Sequence, residues 1–259
     1  MTTPSYPNFP GKHAEKALYD PADFVAYLHK SGASAAAVPA PPSVVMCYQR
    51  SLYEHALRAE GVEPPVRRGV LHGLVALPST GGTVGLLGRF GIGAPAATAA
   101  LEGLIALGTR NIASIGTAGS LQHSLSPGDL VLCEAAIRDE GVSHHYLPPG
   151  KLATASPELT AKLGAAIGSG FAVGTSWTID APYRETVAEA RHYQAEGVLR
   201  VEMEAAALFA VAAVRGVQLA SAFSISDSLA DLEWNPQFHG AEVQEGLVTL
   251  YEAAVTALR

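Results

Sequence analysis

The chain has 259 residues, enough for one large or two small domains, and 48% apolar against 16% charged residues provide for a sizeable core. A formal charge of −7 and the lack of any Lys/Arg run exclude a phosphate-backbone binding stripe, and with it nucleic acid as a partner. The longest apolar stretch, residues 205–214, is half of what a bilayer span requires, and residues 1–16 are polar and proline-broken, unlike a signal peptide, so a soluble, cytoplasmic chain is expected.

In chain order, residues 1–42 read as an N-terminal arm, with one short helix at 21–28 and a small-residue, Pro-rich linker at 31–42. Residues 44–48 form the first expected strand, and 51–60 a helix stopped by Gly61. Two runs, 70–77 and 84–87, flank Ser79-Thr80-Gly81-Gly82 as a hairpin. Then comes a glycine loop, Gly88-Arg89-Phe90-Gly91-Ile92-Gly93-Ala94-Pro95, opening a helix at 96–107, where Pro95 suits the first turn. The strand at 111–115 ends in a second small-residue loop, Gly116-Thr117-Ala118-Gly119. Further strands are expected at 130–137, 171–174 and 219–225, and helices at 156–167, 187–193, 204–214 and 241–258. Strands alternating with helices imply a three-layer αβα sandwich with a mixed, largely parallel central sheet, and residues 43–259 read as one domain. Cys47 and Cys133, the two cysteines, lie in apolar strand-like runs and read as buried free thiols.

Candidate chemistry gathers at the carboxyl ends of the strands, where open α/β folds keep their sites. Glycines that open a helix turn backbone N–H groups outward and suit an anion, so Gly93 and its loop are candidates, with Thr117 adding a hydroxyl. A dinucleotide is excluded, because the next strand ends in Gly116-Thr117 without the acid that would hold a ribose. Glu204 opens an otherwise apolar helix, and an acid beside so much apolar surface requires donors such as sugar hydroxyls. Asp227 ends the strand at 219–225, where partial desolvation raises a carboxyl and lets it protonate a leaving group. Trp177 either stacks on a flat base or fills core. His144-His145 has no metal-ligand spacing, and no metal is expected.

Four blocks together resemble the nucleoside phosphorylase family that includes purine nucleoside and uridine phosphorylases: Gly91-Ile92-Gly93-Ala94-Pro95, Ile115-Gly116-Thr117-Ala118-Gly119, Val201-Glu202-Met203-Glu204-Ala205-Ala206 and Ser224-Ile225-Ser226-Asp227. The resemblance implies phosphorolysis of a ribonucleoside to free base and ribose 1-phosphate, with inorganic phosphate as co-substrate, no cofactor, and a homo-oligomer built from dimers, a hexamer favoured. By position, Glu204 is similar to the ligand of the ribose hydroxyls, with Met203 packed beside it and His13 reaching a neighbour's sugar. Asp227 is similar to the acid at the base. Thr117, Gly93 and Arg68 resemble phosphate contacts. Two departures stand out: Ser114 occupies the place of a usual arginine, and Met46-Cys47-Tyr48-Gln49-Arg50 replaces a Gly-Asp-Pro loop, leaving Arg50 and Arg89 as the substitute cations. The base stays open, with purine favoured over uridine. Ser114 keeps a water-using nucleosidase in play, and a non-catalytic nucleoside-binding protein is the third reading.

Overall fold

The computed structural model describes residue 9 and residues 11–30, 40–64 and 71–259. Helix α1 (Pro21–Lys30) precedes strand β1 (Ser43–Cys47) and α2 (Arg50–Glu60), which Gly61 ends in the left-handed region at φ 64°. The expected hairpin is β2 (Leu74–Ala76) antiparallel to β3 (Val84–Leu87); residue 70, where its first strand was expected to begin, lies outside the described residues. Next come α3 (Ala94–Ala106), β4 (Asn111–Ser120), β5 (Leu130–Asp139), β6 (Leu152–Thr154) and α4 (Pro157–Ile167). The chain continues through β7 (Phe171–Ile179), α5 (Val187–Ala195), β8 (Arg200–Glu202), α6 (Ala205–Arg215), β9 (Gln218–Ser228), β10 (Asn235–Pro236) and α7 (Ala241–Leu258).

Strand β1 shows how the layers arise. Its residues are all buried, and their alternation sends Val44 and Met46 to one face and Val45 and Cys47 to the other. On the first face they meet Leu101 and Leu104 of α3 and Leu208 and Phe209 of α6. On the second they meet Leu52 of α2 and Leu247 and Leu250 of α7. A strand apolar on both sides therefore demands helices on both sides, and each fully buried Leu or Phe contributes about 1.5–3 kcal/mol.

The sheet is mixed, running β10-β9-β5-β7-β8-β4-β1-β3-β2, with β6 on the edge of β5 and a further pairing of β9 with β4. That extra pairing modifies the expected layering: β4, β9, β5, β7 and β8 form a closed, barrel-like circuit, and only β1, β3 and β2 extend as an open sheet. Parallel pairing joins β1 to β3 and β4, β4 to β9, β5 to β7 and β7 to β8, while β5–β9 and β4–β8 are antiparallel. Both cysteines are free and buried, as expected. Among the described residues no helix is long and apolar enough to cross a membrane.

Candidate active site

Strand β4 carries the geometry. The expected Gly116–Gly119 loop is not a loop: β4 continues to Ser120, because β9 pairs along its whole length, with one bulge between Ala118 and Gly119. Gly119 stands in register with Val201 of β8 on one side and with Asp227 of β9 on the other. At about 4.8 Å between neighbouring strands, the two acidic segments leave the sheet within about 10 Å of each other.

On the β8 side, Glu202 and Glu204 divide the work. Glu202 is 5% exposed; its Oε2 accepts the N–H groups of Glu204 at 2.7 Å and Ala205 at 2.8 Å, and its Oε1 accepts the Thr178 hydroxyl. It thus satisfies the open N-terminus of α6. Burial pushes its carboxyl up, opposed by those donors and by the Arg200 charge. Glu204 points elsewhere. Its Oε1 accepts the Gly93 N–H at 2.6 Å, and burial pushes its carboxyl up to about 8, with the Glu202 charge adding to the shift. Gly93 sits at φ 88°, ψ 155°, a conformation suited to glycine, and caps α3. Met203 Cε packs 3.8 Å from where a Gly93 side chain would begin. The Gly93 amide, expected to face an anion, is therefore already given to Glu204.

Asp227 is 6% exposed. Its Oδ1 accepts the Ser226 hydroxyl at 2.7 Å and its Oδ2 the Trp234 indole N–H at 3.2 Å. Burial pushes its carboxyl up and both donors oppose this. The fit against β4 is close: a Cβ at Gly119 would lie 2.9 Å from Asp227 Oδ2 and 2.9 Å from Leu229 Cδ1. Nearby, burial, then the Asp227 charge, push Glu185 up to about 7.

The two departures from the family pattern compensate one another. The Tyr48 hydroxyl lies 2.9 Å from the Ser114 hydroxyl, its ring meets Phe90 edge-on at 5.2 Å, and a Cβ at Gly116 would lie 3.1 Å from that ring. A neutral phenol and a serine thus stand where an arginine was expected. Burial and then the Glu204 charge hold the Tyr48 phenol well above its usual range. Thr117, half-buried, accepts the Gln49 side-chain N–H at 3.0 Å, and Gln49 Oε1 is buried without a partner.

The candidate cations are not assembled around these groups. Arg50 opens α2 with its side chain 86% exposed and paired to Glu54 at 2.5 Å. Arg89 is exposed, at φ 65°, and its charge acts on Tyr53 and Glu54. Among the described residues no Arg or Lys is hydrogen-bonded to Gly93 or Thr117. Arg68 lies outside the described residues. His13 is half-buried in a short turn, Lys12–Ala14, which packs against the turn Ser143–His145.

Trp177 needs correction as a base-stacking residue. It lies within β7, not beyond a strand's end, and is fully buried; its N–H donates to Asp139 at 2.8 Å and its ring packs on Tyr193 at 4.8 Å. The cavity it lines with Glu185, Leu229 and Leu232 holds about 50 Å³, room for one or two waters but not a heterocycle. A larger cleft of about 470 Å³ opens between Asp139, Asp180, Arg184 and Glu189. Three residues not foreseen at the site are Tyr48, Glu185 and Trp234. Of these, Trp234 had a signal: a lone tryptophan in the polar run Asp231-Leu232-Glu233-Trp234-Asn235, shortly after the candidate acid.

The site thus joins a barrel-like α/β sheet to two buried acids, one on β9 and one capping α6 after β8, on either side of the glycine-rich end of β4. The chain belongs to the phosphorylase superfamily, whose family model matches residues 50–259. Uridine phosphorylase of Escherichia coli is 32% identical over 145 residues, covering 49% of this chain and 57% of that protein. The DeoD-type purine nucleoside phosphorylase of Bacillus cereus is 31% identical over 144 residues, covering 54% and 61%. The chain therefore spans somewhat over half the length of these curated relatives. Among solved structures, the Toxoplasma gondii purine nucleoside phosphorylase in complex with immucillin-H superposes with a TM-score of 0.73 at 20% identity, over 85% of this chain and 91% of that one, a likeness of fold.

Proposed function

We propose that the chain cleaves the N-glycosidic bond of a ribonucleoside by phosphorolysis. The observation that carries this is the placing of two buried acids either side of Gly119: Asp227 pairs with it from β9, and Glu204 caps α6 just beyond the end of β8, whose Val201 pairs with Gly119 on the other side. Membership of the superfamily and the names of the relatives, uridine and purine nucleoside phosphorylases, support the same reading. In the step, a phosphate oxygen forms a bond to C1′ as the C1′–N bond breaks, and its electron pair leaves on the base. Asp227, its carboxyl raised by burial, gives the departing base a proton or a hydrogen bond. Glu204 accepts the ribose hydroxyls, with Met203 packed against the sugar. Thr117 contacts phosphate together with the glycine loop that ends at Gly93, whose own amide stays on Glu204, with Arg89, Arg50 and Arg68 as candidate cations and His13 as a sugar contact from a second copy. Positioning and preorganised electrostatics supply most of the acceleration.

Purine is the favoured base and uridine the alternative. The reading also carries a cytoplasmic homo-oligomer built from dimers, a hexamer favoured, with residues 43–259 as one phosphorylase domain behind an arm of 1–42. It takes the open part of the sheet as a three-layer αβα sandwich. A second reading, hydrolysis by water, is favoured by one feature: Tyr48 and Ser114 put hydroxyls where a cation would hold phosphate. Incubation with inosine, adenosine, guanosine and uridine, with and without phosphate, tests both through the free base released. Release only with phosphate is expected; equal release without it establishes hydrolysis, and binding without release rejects both.

A further inference from the structure

Each oxygen of Asp227 already accepts one hydrogen bond, and the two donors differ in kind. The Ser226 contact lies between neighbours within β9 and is buried. The Trp234 contact is of another kind, because the indole is 65% exposed while its N–H reaches a carboxyl that is 6% exposed. The backbone explains this reach. After β9 the chain turns, with Leu232 at φ 62°, and returns as β10, which sets Asn235 against Ser228 and Pro236 against Asp227. Trp234 immediately precedes β10 and so stands over the acid. The return is secured by that two-residue pairing and by the Gln237 N–H on the Ser226 carbonyl at 2.8 Å. Phe238, partly exposed, lies 6.4 Å from the indole on the same segment. A tryptophan contributes to stability mainly by burying its ring, and this one leaves most of it in solvent while spending its single donor on a site acid. Its chemistry fits a flat heterocycle that needs both a stacking face and access to Asp227 Oδ2.

We infer that Trp234 positions the base: its N–H orients Asp227 in the ligand-free protein, and its open ring becomes the wall on which the heterocycle stacks when the base takes over Oδ2. This rests on the proposed nucleoside cleavage, and it supplies the aromatic face that Trp177, buried in the core, does not offer. The partner class is a purine or pyrimidine base, free or as its nucleoside.

The sequence has two tryptophans, and Trp177 is fully buried, so the difference in intrinsic fluorescence between the wild type and Trp234→Phe reports Trp234. Titration with inosine, hypoxanthine, adenine and uracil should change the emission of the wild type and leave Trp234→Phe unchanged. Steady-state kinetics should show Trp234→Ala raising the nucleoside KM about five- to a hundredfold, the range expected for a lost stacking face. Trp234→Phe, which keeps a ring but no donor, should restore KM while kcat stays lowered. Emission indifferent to saturating inosine in a protein that turns it over, or an unchanged KM in Trp234→Ala, overturns the inference. A wild type that cleaves no nucleoside yet changes emission with free bases supports base stacking on Trp234 and defeats the proposed reaction alone. Neither cleavage nor an emission change defeats both.

Discussion

Two glutamates two positions apart on one segment meet different fates, and donor supply decides which. Glu202 is surrounded by two backbone N–H groups, a threonine hydroxyl and the Arg200 charge, whereas Glu204 has only backbone donors, Gly93 and Met203, and faces the nearby charge of Glu202. An incompletely satisfied buried carboxylate is unstable alone and is completed by a ligand with hydroxyl donors. Glu204→Gln keeps the shape and an acceptor for Gly93 but cannot ionise when hydroxyl donors reach it. We expect kcat/KM to fall roughly ten- to a hundredfold, the loss of a charged hydrogen bond, with little change in melting temperature at neutral pH. Activity equal to wild type would remove Glu204 from the sugar site. Gly119→Ala tests the other acid. Its new methyl would stand 2.9 Å from both Asp227 Oδ2 and Leu229 Cδ1, inside van der Waals contact, so both side chains must shift. A destabilisation of about 1–3 kcal/mol by chemical denaturation is expected, with a loss of turnover larger than that destabilisation explains.

At the level of elements, α6 depends on β8 for its first turn. Glu202 accepts two of the N–H groups that the helix leaves open, so Glu202→Ala should cost about 1–2 kcal/mol in denaturant unfolding, whereas Glu202→Gln, which keeps one acceptor oxygen, should cost less. Because Glu204 begins the same turn, both variants should also lower kcat/KM, and an intact activity in Glu202→Ala would show that the turn holds itself. Most elements were legible in the sequence where periodicity and stops agree. β1, α2 with Gly61, the β2–β3 hairpin, α3 behind Pro95, and α7 fall near their expected bounds. The failures share a cause. The Gly116–Gly119 stretch lacks side chains that favour strands, yet β4 runs through it because β8 and β9 pair on either side, so tertiary pairing overrides local preference. β8 and β10 span three and two residues, too few to show an alternation. Glu204 and Asp227 could be picked out because an acid at the edge of an apolar run is costly without a purpose. Trp177 could not be assigned, since alternation along β7 says that it is half of a pattern but not which side is solvent. Trp234 was missed because its place depends on β10 folding back over Asp227, a contact that no local pattern records.

The molecule as a whole keeps several carboxyls out of water, and that fixes how its stability responds to pH. Glu202, Glu204, Asp227 and Glu185 are all raised, burial being the first cause in each, with Glu185 at about 7 and Glu204 at about 8. A carboxyl raised in the folded state holds its proton more tightly there than in the unfolded chain. Its stabilising contribution is fully present below the ordinary carboxyl range and is lost as pH rises through the folded value. The lowered acids, Glu54, Glu158 and Glu196, act in the opposite sense, but they are exposed partners of Arg50, Lys162 and Lys151, weak and screened by salt, and they matter only below about pH 4.5. The melting temperature should therefore be highest under mildly acid conditions and fall steadily from about pH 5 to pH 8, at roughly 2–4 °C for each kcal/mol lost. Replacing Glu204 with Gln removes one carboxyl raised to about 8, so the decline should become shallower across the whole range from about pH 5 to 8. Thermal scans of both proteins across that range decide the matter: a wild-type melting temperature that is level or rising, or an identical slope in the variant, would mean that Glu204 is ionised and satisfied in the free protein, and that a sugar has no vacancy there to fill.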